Sequence, residues 1–158
     1  MTSATLPTQP STTVDPRGPR FGAAVTALVL GTALVLGPSP GLPLLVIQTL
    51  AFGGGALLGL RFQPYGWLFR RFVRPRLAPP AELEDERPPR FAQAVGLGFA
   101  LVALAGTLLD SSAVFYVAVG FALTAALLNA AFDFCLGCEL YLLGRRAQAR
   151  LIPSSATS

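Results

Sequence analysis

Apolar residues gather into four long runs separated by short polar or basic segments. Residues 21–37 carry no charge and stop at Pro38-Ser39-Pro40-Gly41, a strong turn signal. Residues 42–60 are equally free of charge and end at Arg61, and residues 91–109 run uncharged to Asp110-Ser111-Ser112. Residues 113–144 form a longer stretch that holds Asp133 and Glu139. A helix rises 1.5 Å per residue, so roughly 17–25 residues cross a ~30 Å hydrocarbon layer. The first three runs fit single spans, and the fourth is overlong, which predicts a break, a steep tilt or a protrusion into the cytoplasm. Runs of this kind in so short a chain leave no partner to bury them as soluble helices. The predicted architecture is an all-α membrane protein, with four transmembrane helices in two sequential hairpins.

Composition agrees. The chain is 53% hydrophobic and 13% charged over 158 residues, with a mean hydropathy of +0.58, whereas soluble domains carry about a quarter charged residues. Such a balance argues against an ordinary soluble enzyme and against disorder. Residues 1–20, rich in Thr, Ser and Pro, read as a disordered tail with no cleavable signal pattern, and residues 145–158 as a second tail.

Charge adds orientation. All twelve basic residues are arginine, with no lysine and no histidine. Arginines lie in the N-terminal tail, in the loop of residues 61–90 and after residue 144, while the two hairpin turns carry none. By the positive-inside rule both termini and the long loop face the cytoplasm. The absence of histidine removes the usual general base and the commonest metal ligand, which excludes a Ser-His-Asp site. No phosphate-cradling Gly-x-x-x-x-Gly-Lys motif is present.

The halves resemble one another. Pro19-Arg20-Phe21 with Ala24-Val25 recurs as Pro89-Arg90-Phe91 with Ala94-Val95, seventy residues on. A duplicated hairpin keeps its orientation, so the expected axis runs along the membrane normal. Gly55 and Gly59 offer a small-residue face for close helix packing; a homodimer contact or a pore lining is the alternative.

In the loop, Tyr65, Leu68, Phe69, Phe72 and Val73 share one helical face, and Arg70, Arg71 and Arg74 the other. This predicts a short interfacial amphipathic helix ended by Pro75, with Trp67 and the arginines at the lipid headgroups rather than on nucleic acid. The acidic run Glu82–Glu86 reads as solvated linker, with a docking site for a basic partner as the alternative.

Chemistry concentrates between residues 129 and 141. The two cysteines, Cys135 and Cys138, are three apart, which places both thiols on one side of a helix. That spacing suits a disulfide, a persulfide relay or simple packing. Two thiolates and no histidine fall short of the four ligands zinc prefers, unless two chains pool them. No metal or cofactor is expected. Glu139 shares the face of Cys135, whereas Asp133 points away on an unbroken helix and joins Asn129. Intramembrane polar groups are costly and therefore mark function. A helix C-terminus, apolar burial and Glu139 all disfavour the reactive thiolate.

Pro89-Arg90-Phe91-Ala92-Gln93 and the stretch Phe134-Cys135-Leu136-Gly137-Cys138-Glu139-Leu140-Tyr141 resemble a bacterial membrane-protein family, domain of unknown function four-three-nine-five. The resemblance spans roughly residues 14–146 and implies an inner-membrane location. Members are often encoded beside thioredoxin-like proteins and sulfurtransferases, which implies thiol or sulfur traffic with such a partner. The leading expectation is a pair, Cys135 and Cys138, that cycles between dithiol and disulfide or holds sulfane sulfur, with Glu139 as proton partner. The alternatives are a small permease using Asn129 and Asp133, or a membrane scaffold with structural cysteines.

Overall fold

The computed structural model describes residues 12–151; the remainder of both tails lies outside the described residues. The order is β1 (Thr13–Val14), α1 (Arg17–Leu36), α2 (Leu42–Gly53), α3 (Pro64–Leu68), β2 (Glu84–Asp85), α4 (Arg87–Leu108), α5 (Ser112–Phe132) and α6 (Leu136–Leu151). Among the described residues the protein is all-α apart from a two-stranded antiparallel ribbon in which Thr13 faces Asp85 and Val14 faces Glu84.

Among the described residues three helices, not four, are long and apolar enough to cross a membrane: α1, α4 and α5. The second apolar run continues from α2 through its Gly53-Gly54-Gly55 stretch into a π-helical turn, Gly54–Leu58. Gly59, at φ +104°, then ends it in a conformation that side-chain-bearing residues rarely adopt. The apolar helix is thus Leu42–Leu58. The fourth run, read as residues 113–144, divides at residues 133–135 into α5 and α6. Asp133 takes the left-handed conformation at φ 57°, which aspartate tolerates better than most residues. Its amide donates to the Asn129 carbonyl at 3.1 Å, and the Phe134 amide to that of Leu128 at 3.3 Å.

Residues 13–20, expected within a disordered tail, are ordered. β1 holds the loop through β2, and Arg17 begins α1 with its amide and guanidinium both on the Asp15 carboxylate.

The core is made where α1 packs on α5, and α4 packs on both α2 and α5. Leu30, Leu45, Phe115 and Val119 are almost fully buried there, among Ala33, Ala100, Ala103 and Ala118. Small residues let the backbones approach closely, as a lipid-solvated bundle requires. Outward positions such as Val35, Leu50, Leu108 and Phe121 remain exposed and apolar.

The two hairpins clasp each other reciprocally. Arg20 on α1 donates to the Ala130 carbonyl at the end of α5, at 3.1 Å. Arg90 on α4 donates to the Ala56 and Leu57 carbonyls at the end of the α2 run, at 2.8 and 2.9 Å. Each arginine satisfies carbonyls that a helix C-terminus leaves unpaired. Phe21 packs on Phe69 with ring centroids 5.8 Å apart, and Phe91 on Tyr141 at 5.7 Å. The repeated Pro-Arg-Phe motif therefore performs the same two tasks in each half.

Candidate functional site

Cys135 and Cys138 are joined as a disulfide, with Cα atoms 5.2 Å apart. The break after α5 puts the pair at the start of a new helix rather than at the end of an old one. Cys135 immediately precedes α6 and its carbonyl accepts the Glu139 amide at 3.0 Å. Its Sγ accepts the Cys138 amide at 3.3 Å, the contact a helix-capping side chain makes. The expectation of a helix C-terminus at the cysteines is thus corrected. A helix N-terminus offers unpaired amides and the positive end of the dipole, both of which favour a thiolate.

Gly137 explains the middle of the motif. A Cβ added there would lie 2.6 Å from both Cα and Cβ of Ala92, so α6 approaches α4 as closely as backbone allows. Ala92 follows the Pro89-Arg90-Phe91 sequence, and the two motifs that carry the family resemblance therefore touch one another.

Cys135 also lines a cavity of about 130 Å³ between α1, α4 and α5. Its walls are mostly apolar, including Phe52, Phe99, Phe121 and Ala125, and its polar groups are Thr26, Gln93 and Asn129. Asn129 thus reaches the same space as Cys135. Asp133 does not accompany it: this residue sits exposed at the break, with Oδ2 4.0 Å from the Arg20 guanidinium. Glu139 is exposed in the first turn of α6.

Polar residues not singled out as site candidates from the sequence form two separate hydrogen-bonded groups beside this site. Gln48, fully buried on α2, donates to the Thr26 hydroxyl at 3.2 Å and accepts from the Tyr65 hydroxyl at 2.9 Å. Gln63 donates to Gln93 Oε1 at 3.0 Å. A glutamine inside an apolar run was the available signal, because an unpaired amide in hydrocarbon costs several kcal/mol.

The loop departs from a flat lipid-facing helix. Tyr65 turns inward to Gln48, and Phe69 is buried against α1 at Phe21 and Gly18. The shared aromatic face is lost because α3 gives way to a π-helical turn, Phe69–Val73, and then a 3-10 turn, Arg74–Arg76. Trp67 and Phe72 stay exposed and pack edge to face, with Arg70, Arg71 and Arg74 exposed beside them. Among the described residues, no group of three His, Cys, Asp or Glu side chains is placed to hold a metal ion.

This arrangement defines a helical, membrane-type protein with a disulfide at a helix start. Residues 14–146 match the model of the family described as domain of unknown function DUF4395, and the chain belongs to that family. No curated protein and no solved structure matches the chain.

Proposed function

We propose that this is a membrane-embedded thiol–disulfide exchange protein whose working pair is Cys135 and Cys138. The observation that carries this reading is the placement of Cys135 ahead of α6, with the Cys138 amide on its sulfur. Such a position stabilises the thiolate that attacks or leaves in exchange.

The partner is a thioredoxin-like or sulfurtransferase protein. Its thiolate attacks one sulfur of the Cys135–Cys138 bridge, and the other sulfur leaves as a thiolate that takes up a proton. The partner's second thiol gives up its proton and displaces the mixed disulfide, so two electrons and two protons pass to the pair. Glu139, exposed one helical turn from Cys135, relays the proton.

The bundle crosses the membrane with α2 and its π turn as the fourth, shorter crossing, in a bilayer locally thinned to suit it. Arg20 reaches the end of α5 and Arg90 the end of the α2 run, so both arginines lie at the same end as the cysteines. The positive-inside rule then places that end, and both termini, in the cytoplasm. Trp67, Arg70, Arg71 and Arg74 meet the headgroups there.

Mass-shift thiol trapping in cells tests the reading. A pair that shifts between oxidised and reduced forms with the partner's redox state supports it. A pair permanently in one state, with Cys→Ser variants fully complementing, defeats it. A permease reading draws on Asn129, which lines the cavity; it requires that Asn129→Ala abolish transport while the double Cys→Ser variant retains it.

A further inference from the structure

We propose that the cavity beside Cys135 receives the head ring of a quinone, and that the reduced Cys135–Cys138 pair is its electron donor. The proposal rests on the thiol-exchange reading and adds the membrane-side acceptor to it. The cavity runs along α5 from Phe121, near the middle of that helix, to Asn129 and then Cys135. Eight residues of helix span about 12 Å, so on the membrane reading above the cavity reaches from the cysteine end of the bundle toward the hydrocarbon layer, within access of a lipid-soluble ligand.

Size and walls suit one planar ring. A cavity of about 130 Å³ is close to the roughly 150 Å³ that accommodates a single benzene ring. Phe99 and Phe121 are stacked on its wall, with centroids 5.9 Å apart and planes 20° from parallel.

The polar groups select for carbonyl oxygens. Gln93 has its Oε1 committed to Gln63 Nε2, which leaves its amide nitrogen as a donor. Asn129 adds a second side-chain amide to the same cavity. Among the described residues neither nitrogen donates to a protein acceptor, and both residues are half-buried, so these amides are open to a ligand carbonyl. An acyl chain supplies no such acceptor, whereas a quinone carries two.

The chemistry balances. The two thiols lose two electrons and two protons and close the Cys135–Cys138 bond; the quinone gains both and becomes the quinol. Exchange with the soluble partner then reduces the pair again.

The test uses the full-length protein in nanodiscs, reduced, freed of reductant and kept anaerobic, with ubiquinone-1 as the probe. The expected result is saturable formation of one quinol per protein, coincident with loss of two free thiols. Gln93→Ala raises the half-saturating quinone concentration roughly tenfold, the loss of one hydrogen bond. Ala125→Phe, which fills the cavity, blocks oxidation, while both variants still exchange disulfides with a reduced thioredoxin. Oxidation that does not saturate, or that is unchanged in both variants, overturns the proposal as reaction from bulk solvent. Thioredoxin exchange without any quinone reduction overturns it too and leaves the thiol-exchange reading standing. Failure of both reactions in the wild-type chain overturns both.

Discussion

The amide of Cys138 donates to Sγ of Cys135 across the first turn of α6, at 3.3 Å. The relation is unequal, because the sulfur before the helix faces its open amides and the one inside does not. In the reduced protein, Cys135 should therefore alkylate faster than Cys138 at neutral pH, by about tenfold, as expected of thiols at helix starts. Comparing Cys138→Ser with Cys135→Ser by timed maleimide labelling gives the ratio. Equal rates would remove the helix start as the source of reactivity.

Gly137 controls how α6 meets α4. With only 2.6 Å between an added Cβ and Ala92, Gly137→Ala forces the two helices apart. Overpacking of this kind costs about 1–3 kcal/mol. Thermal unfolding in detergent should show the loss, and Ala92→Gly in the same chain should recover part of it, since it removes one of the clashing atoms. Two substitutions with simply additive effects would contradict the contact.

The helical membrane character, the hairpin turns and the Cys135–Cys138 pair were legible because each has a local cause. Runs without charge, Pro-Ser-Pro-Gly and a three-residue spacing need no knowledge of neighbours. A break in the overlong fourth run was one of three expectations, but its place at Asp133 was not legible, because the surrounding residues Ala130, Ala131, Phe132 and Phe134 continue an apolar pattern. What ends the helix is a single left-handed residue, and hydropathy does not register backbone conformation. The shortening of the second run follows the same logic, since Gly59 ends it through a backbone conformation that adds no charge to the run. The network of Gln48, Thr26 and Tyr65 joins residues far apart in the chain, and only the packing of α1 on α2 and α3 brings them together. The repeat is the reverse case. Pro-Arg-Phe was visible as a motif, while its purpose emerged only when each arginine was found on the opposite hairpin.

That purpose is testable. Arg90 makes two charge-assisted hydrogen bonds to carbonyls of the α2 run, and Arg20 makes one to α5. Charged hydrogen bonds contribute about 1.5–3 kcal/mol when buried and less when exposed as here. Arg90→Ala should destabilise by about 1–2 kcal/mol and Arg20→Ala by about 1 kcal/mol, adding in the double variant because the sites share no partner. Arg90→Lys should restore little, since one ammonium does not reproduce the guanidinium fork. Chemical unfolding in mixed micelles measures all four.

Gln48 has no solvent to turn to. Gln48→Leu leaves the Tyr65 hydroxyl without its acceptor and the Thr26 hydroxyl without its donor, at a cost of about 1–3 kcal/mol. Adding Tyr65→Phe removes one of the stranded groups, so the pair should be less destabilised than the sum of its parts. Hydrogen exchange across residues 64–76 should rise in Gln48→Leu, because Tyr65 is what ties that segment to α2. An unchanged exchange rate would show that Phe69 alone holds the loop.

Acid should release the N-terminal clamp. Asp15 is buried, and the Arg17 side-chain hydrogen bond holds its carboxyl below the ordinary carboxylate value, against the opposing effect of burial. A group whose pKa is lower folded than unfolded contributes stability above its unfolded pKa, and that stability is lost as pH falls through the folded value. The contribution is therefore complete at neutral pH and disappears below the ordinary carboxylate range. With Asp15 protonated, the Arg17 guanidinium loses its charged partner, and the bond from Arg17 to the Ala78 carbonyl at 3.0 Å has less to orient it. Asp15→Asn should thus weaken protection of residues 12–18 and 78–86 at pH 7 and leave it nearly flat toward acid. In the wild-type chain the same protection should fall as the pH is lowered. Hydrogen exchange followed from pH 7 to pH 3, corrected for intrinsic rates, checks this, and a wild-type profile as flat as the variant's would refute it.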